Sequence, residues 1–217
     1  MKTKIIMVRH GQSVANAQNR FAGHSDFDLT DLGRTQARLS AQYLAKIETP
    51  DVIYSSDLLR AHNTAAPFAE IYSLPINDRT GLRELYAGKW EGLELDKITE
   101  LYGDDFDVWK NDFSYARCTG GESIQELYER IVAEVLSLVK QNPDKTLLIT
   151  THATPIRAIE AYANGLPAHR IHEINFVKNA SINIFEYDFE SDSLYTVRTN
   201  VVEQFEESLV TDVPKLL

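Results

Sequence analysis

Four consecutive apolar residues, Ile5-Ile6-Met7-Val8, run directly into Arg9-His10-Gly11. Far down the chain, Thr146-Leu147-Leu148-Ile149-Thr150 runs in the same way into Thr151-His152-Ala153. A short apolar run without polar alternation reads as a strand buried on both faces, and such strands belong to parallel sheets covered by helices. In sheets of that kind ligands bind beyond the carboxyl ends of the strands. Two strands that both stop at a histidine therefore constrain the fold and the position of a site together.

The rest of the chain fits that frame. Thr30 caps a helix over about 31–46, with Leu32, Leu39, Tyr43 and Ile47 along one face, and Pro50 ends it. Val52-Ile53-Tyr54 reads as a second strand, and Ser55 or Ser56 caps a helix over about 57–72 carrying Leu58, Leu59, Ala65, Phe68 and Ile71. Ser123 caps a helix to about 141, in which Ile124, Leu127, Tyr128, Ile131, Val135, Leu138 and Val139 keep helical spacing. A further helix covers about 154–163, and Ile182–Tyr187 with Leu194–Val197 alternate as a hairpin. The acidic tail beyond Asn200 is expected to be partly helical and docked on the domain. Alternating strands and helices predict an α/β fold, a three-layer sandwich with a mostly parallel central sheet flanked by helices. Tyr86, Trp90, Tyr102, Phe106, Trp109, Phe113 and Tyr115 crowd together with Asp104, Asp105 and Asp107. That texture predicts one or two short helices forming a small lid insertion over about 86–118 of a single domain, 1–217. The lid aromatics read first as core, with one or two, such as Trp90 or Tyr102, as the candidates for touching a ligand.

Charge narrows the partners. Against 32 acidic residues stand 22 lysines and arginines, a net charge of −10. Such a surface repels polyanions, so neither nucleic acid nor an anionic membrane is an expected partner, and any anionic substrate needs a local basic pocket. No strictly apolar run exceeds four residues, too few for a secretory core or a membrane span. The single Cys118 fits a reducing compartment and reads as an inert thiol, so the expected location is cytoplasmic.

Four segments carry chemistry. In Arg9-His10-Gly11 a histidine suited to nucleophilic attack stands between an arginine, whose fork matches phosphate oxygens, and a glycine that permits close backbone approach. Asn16 adds an amide donor from the same loop; the bland alternative is a loop with a capping arginine. Arg60 falls in the first turn of a helix, where an anion would gain from both the guanidinium and the free N–H groups, or else it pairs with Asp57. Glu84, just before the aromatic lid, suits a general acid, or else a salt bridge to Arg79 or Arg83. His152 follows the third strand, with the N–H of Ala153 as an oxyanion-type donor, or else is a satisfied core histidine. His24, His62, His169 and His172 have no partner pattern and read as surface or capping groups.

Taken in order, Arg9-His10-Gly11, Arg60, Glu84 and His152 resemble the histidine phosphatase superfamily, in its branch of phosphoglycerate mutases and small phosphatases. Thr30-Asp31-Leu32-Gly33-Arg34-Thr35-Gln36-Ala37, Gly88-Lys89-Trp90-Glu91-Gly92, Gly120-Gly121-Glu122-Ser123 and Asn179-Ala180-Ser181-Ile182 look like further landmarks, so the resemblance spans most of the chain. It implies that His10 forms a phosphohistidine, that Arg9, Asn16, Arg60, His152 and Ala153 hold the phosphoryl oxygens, and that Glu84 serves the leaving group and then water. It also implies no cofactor and no metal. The sequence departs from the family pattern at Ala22, often glutamine, at Ala87, often aromatic, and at His152-Ala153-Thr154, usually His-Gly-Gly. These departures touch substrate identity rather than the catalytic set.

The expected activity is hydrolysis of a small phosphorylated metabolite by a monomer or homodimer. The alternatives are a phosphoglycerate mutase and a catalytically silent interaction module. A mutase of this branch carries an added basic segment after the glutamate, and 86–118 offers only Lys89, Lys97, Lys110 and Arg117 among many acids. The silent module is disfavoured because all five core residues are present.

Overall fold

A computed structural model describes residues 1–211. Six strands form one mixed, mostly parallel sheet: β1 (Lys2–Arg9), β2 (Val52–Ser55), β3 (Ile76–Asp78), β4 (Thr146–Thr151), β5 (Ile182–Asp188) and β6 (Ser193–Val201). Their spatial order is β3-β2-β4-β1-β5-β6. β3, β2, β4 and β1 are parallel neighbours, while β5 runs antiparallel to both β1 and β6. The two central strands, β1 and β4, are buried on both faces, as their unbroken apolar runs require. Ile5, Met7, Leu147 and Ile149 face one core, and Ile6, Val8, Leu148 and Ile53 face the other.

Helices cover both faces. α2 (Asp31–Leu44) and α3 (Leu59–Tyr72) close one core with Ala41, Leu44, Ala65 and Phe68. α5 (Ile124–Gln141) and α6 (Ala153–Ala163) close the other with Ile124, Leu127, Ile131, Val135, Ile156 and Ile159. The four-residue α1 (Val14–Ala17) lies in the loop after β1, and α4 (Leu95–Asn111) belongs to the aromatic segment. No helix among the described residues is long and apolar enough to cross a membrane.

Two local expectations are corrected. The buried face of α2 is Gly33, Gln36, Ala37, Ser40, Ala41 and Leu44, whereas Leu32, Leu39 and Tyr43 are half-buried and Ile47 is exposed beyond the helix end. Small residues win because backbones meet here. A Cβ on Gly33 would lie 2.1 Å from the Gln12 carbonyl oxygen, and one on Gly11 would lie 2.3 Å from that of Gly33. Gln36 is buried because its amide is fully used. It accepts from Gln12 N–H at 2.8 Å and donates to the Leu209 carbonyl at 2.7 Å. At α3 the N-cap is Leu58, with no side-chain cap; Asp26 accepts from Leu59 N–H at 2.7 Å instead. Ser56 is left to a histidine, as described below. The aromatic segment holds the expected short helices: the 17 residues of α4 form two helical stretches that meet at a kink at Tyr102 (φ −138°, ψ 36°), with short 3-10 turns at Gly88–Trp90 and Phe113–Tyr115.

The tail docks through Gln36 and through Gln204, which donates to Ser40 Oγ at 3.0 Å, with one 3-10 turn at Glu207–Leu209. The part of the expected tail from 212 to 217 lies outside the described residues.

Candidate active site

Parallel register brings the two histidines together. β1 and β4 are adjacent with Arg9 opposite Thr151, and His10 N–H donates to the Thr151 carbonyl at 2.8 Å. The rings of His10 and His152 then meet edge to face, 5.2 Å between centroids. His10 Nδ1 lies 2.7 Å from the Gly11 carbonyl oxygen. A carbonyl only accepts, so Nδ1 carries the hydrogen and Nε2 keeps its lone pair. Burial, then the charges of Arg60 and Arg9, hold the His10 pKa well below its ordinary 6.5. The ring is neutral at physiological pH. His152, the N-cap of α6, is fully buried, with Nε2 2.8 Å from Ser56 Oγ and Nδ1 without a partner. Burial and Arg60 depress its pKa in the same direction.

Two guanidiniums flank this pair. Arg9, the last residue of β1, donates from Nη1 to the Val177 carbonyl at 2.6 Å. Arg60, in the first turn of α3 and wholly buried, donates to the carbonyls of Ser25 at 2.9 Å and Gly23 at 2.7 Å. Carbonyls orient a guanidinium without neutralising it. Burial pushes both side chains down to about 10, so both stay charged at neutral pH. The Nε of each is buried and finds no acceptor in the protein. Unpaired buried donors and uncompensated buried charge are costly, and an anion with several oxygens relieves both.

The remaining groups close the same cavity, lined among others by Arg9, His10, Asn16, Arg60, Glu84 and Ala153. Asn16 sits in the capping box of α1. Its Oδ1 accepts from Ser13 N–H at 3.1 Å and from Asn179 Nδ2 at 3.3 Å, so its own NH₂ is the end left for a ligand. Glu84 accepts from Leu85 N–H at 2.9 Å and from Thr154 N–H at 3.4 Å, which ties it to the first turn of α6. Ala153 opens that helix, where N–H groups lack intrahelical partners and favour anions. His152 alone of the expected residues does not line the cavity; it lies directly behind His10.

Other residues fall differently. Trp90 is fully buried in the lid core and donates to Thr119 Oγ1 at 3.0 Å, and Tyr102 packs half-buried on that core. The aromatics that do line the cavity are Phe21, Trp109, Phe113 and Phe176. His24, expected at the surface, contacts the Glu84 carbonyl through Nε2 at 2.8 Å. His62 and His172 sit against Asp78 and Ser114. Cys118 is buried, which pushes its thiol pKa up.

Sequence reasoning missed Arg157, a buried arginine of the cavity wall. Its signal was present: α6 is buried almost all round, from Ala153 through Ile159, and a lone arginine inside such a helix needs an occupation. Among the described residues no three histidine, cysteine, aspartate or glutamate side chains gather as a metal-binding group.

A buried neutral histidine and two uncompensated arginines, at the strand ends of an α/β sheet, define an enzyme of the histidine phosphatase type. Residues 5–200 match the model of the histidine phosphatase superfamily, branch 1, and the chain belongs to that family. It is 35% identical to phosphoserine phosphatase 1 of Hydrogenobacter thermophilus, over 72% of this chain and 74% of that protein. It is 34% identical to a glucosyl-3-phosphoglycerate phosphatase of Mycolicibacterium vanbaalenii, over 82% and 81%. The solved structure of Bacillus stearothermophilus YhfR superposes with a TM-score of 0.86 at 28% identity, covering 94% of this chain and all of that one.

Proposed function

We propose that the chain hydrolyses a small phosphorylated metabolite without a metal ion, through a phosphohistidine on His10. The observation that carries this reading is the bond from His10 Nδ1 to the Gly11 carbonyl, which leaves Nε2 unprotonated between the charges of Arg9 and Arg60. In the first step Nε2 attacks phosphorus in line as the bond to the leaving oxygen breaks. Arg9, Arg60, the Asn16 amide and the Ala153 N–H donate to the equatorial oxygens, where charge accumulates, while His152 packs against the His10 ring. Glu84 gives its proton to the leaving oxygen, then takes one from the water that attacks the phosphohistidine. The product is inorganic phosphate and the ring is restored.

Two guanidiniums supply the positive charge that a metal ion supplies elsewhere, so no step requires one. A relative from Arabidopsis thaliana, 33% identical over 162 residues, is described as a metal-independent phosphoserine phosphatase.

The test is phosphate release from p-nitrophenyl phosphate, sugar phosphates, phosphoserine and phosphoglycerates with EDTA present. Turnover that survives EDTA and vanishes in His10→Ala is the expected result. A second reading, the phosphoglycerate mutase, gains from Arg157 and Arg20, cavity arginines from outside the acid-rich lid segment. Conversion of 3-phosphoglycerate to its 2-isomer with 2,3-bisphosphoglycerate present, and no phosphate release, would decide for it.

A further inference from the structure

The cavity continues beyond His10 to a wall containing Trp109, Phe113, Arg157 and Phe176, and this wall holds polar groups that the phosphoryl chemistry does not use. Arg157 donates from Nε to the Ile174 carbonyl and from Nη2 to the Ile171 carbonyl, both at 3.2 Å. Its guanidinium lies 4.8 Å from the Phe113 ring centroid and 5.8 Å from that of Phe176. Nη1 is left without a protein acceptor, and the side chain forms no ion pair among the described residues. Burial lowers its pKa to about 10, so it is charged at neutral pH. Arg20 is the contrasting case, because Glu94 at 2.9 Å neutralises it and Gln18 and the Gly92 carbonyl take its other donors. Trp109 adds a second unpaired group: its Nε1 is buried and meets no acceptor.

We propose that this wall is a second anion subsite, which takes the carboxylate of a phosphorylated carboxylic acid through Arg157 Nη1 and Trp109 Nε1. The proposal rests on the phosphatase reading for the position of the phosphoryl group. The donor count selects the ligand. Two donor atoms, Arg157 Nη1 and the neutral indole Nε1, with one positive charge between them, match the two oxygens and single charge of a carboxylate. A second phosphate dianion would set two negative charges against the single positive charge of Arg157. Phe176 sets the span, since its ring lies 5.1 Å from the Arg9 guanidinium and 5.8 Å from that of Arg157. A short carbon skeleton lying along that ring joins the two anionic ends.

Matched substrate pairs test this, because each pair differs at the carboxylate. Phosphoserine is compared with phosphoethanolamine, and 3-phosphoglycerate with glycerol 3-phosphate, on the full chain. The expected result is a kcat/KM at least about tenfold higher for the carboxylated member of at least one pair, the scale of one charge-assisted contact. Arg157→Gln should collapse that ratio to near one, Arg157→Lys should retain part of it, and Trp109→Phe, which keeps the ring, should lower it about threefold. A ratio near one in the unaltered chain overturns the proposal. So does a ratio that persists in Arg157→Gln while both members slow equally, the signature of a structural arginine. Calorimetry on His10→Ala reads the same preference in Kd without turnover. Should no compound be hydrolysed, the phosphatase reading falls, and the Kd ratio alone upholds or overturns the subsite.

Discussion

The floor and the wall of the cavity are built by different means. The floor, His10 and Arg9 with His152 behind them, is placed by backbone pairing: Arg9 stands opposite Thr151 in the β1–β4 ladder, and each histidine follows the end of its strand. A one-residue slip there would turn every side chain to the other face of the sheet, so the arrangement is all-or-none. The wall, Trp109, Phe113, Arg157 and Phe176, is gathered from three separate stretches of chain and held by ring packing such as the 4.8 Å contact of Trp109 with Phe113. Packed aromatics tolerate exchange at modest cost when volume is kept. Chemistry is thus fixed by register and recognition is adjustable by side chain.

Breaking the floor should have the largest effects. His10→Ala is expected to remove turnover and the trapped phosphoenzyme together, a loss of at least about 10⁴-fold, as for other covalent nucleophiles. Phosphate release and acid-quench labelling both check it. Arg60→Ala should cost about 10²–10³-fold in kcat, the scale of a preorganised donor to a charged transition state. If it costs less than Trp109→Phe on the same substrate, the division into floor and wall is wrong. Glu84→Gln sharpens the comparison by chemistry: turnover of alkyl phosphates should fall by about 10²-fold or more, and that of p-nitrophenyl phosphate by less than tenfold. Equal losses on both would remove the general-acid role.

The smallest effect is on stability. Both buried histidines have pKa values below 6.5, so as pH falls through 6.5 the unfolded chain takes up protons that the folded chain refuses. Their contribution is neutral above about pH 7 and destabilises progressively below 6.5, by about 1.4 kcal/mol per pH unit for each group. The urea midpoint should decline from pH 7.5 to 5.5, and the slope should shrink in His10→Ala. An unchanged slope in that variant would mean that His10 is not held neutral by its surroundings.

The floor was legible in the sequence because its residues are local to strand ends. Arg9, His10 and His152 can be placed once the two apolar runs are read as neighbours, and Arg60 once a helix is read after Val52-Ile53-Tyr54. The wall was not. Trp109 and Trp90 are both large aromatics of the same segment, both pack edge-on against Phe21, at 5.1 and 5.4 Å, and no local pattern tells which one meets the cavity. Arg157 was hidden for another reason: its value depends on carbonyls of 171 and 174, whose positions no local pattern encodes. The same limit explains α2, where spacing pointed to Leu32 and Leu39 and close backbone approach selected Gly33 and Ala37.

That approach has a consequence for anyone altering the enzyme. The stretch from Thr30 to Ala37 ranks among the recognisable landmarks of the sequence, yet none of its residues lines the cavity. Gly11 abuts the Gly33 carbonyl and Gly33 abuts the Gln12 carbonyl, a joint in which a methyl on either glycine falls within 2.3 Å of backbone. No single substitution can enlarge one half of a joint without moving the other. A mutant library aimed at new substrates should therefore hold positions 11 and 33 constant and spend its diversity on 109, 113 and 176.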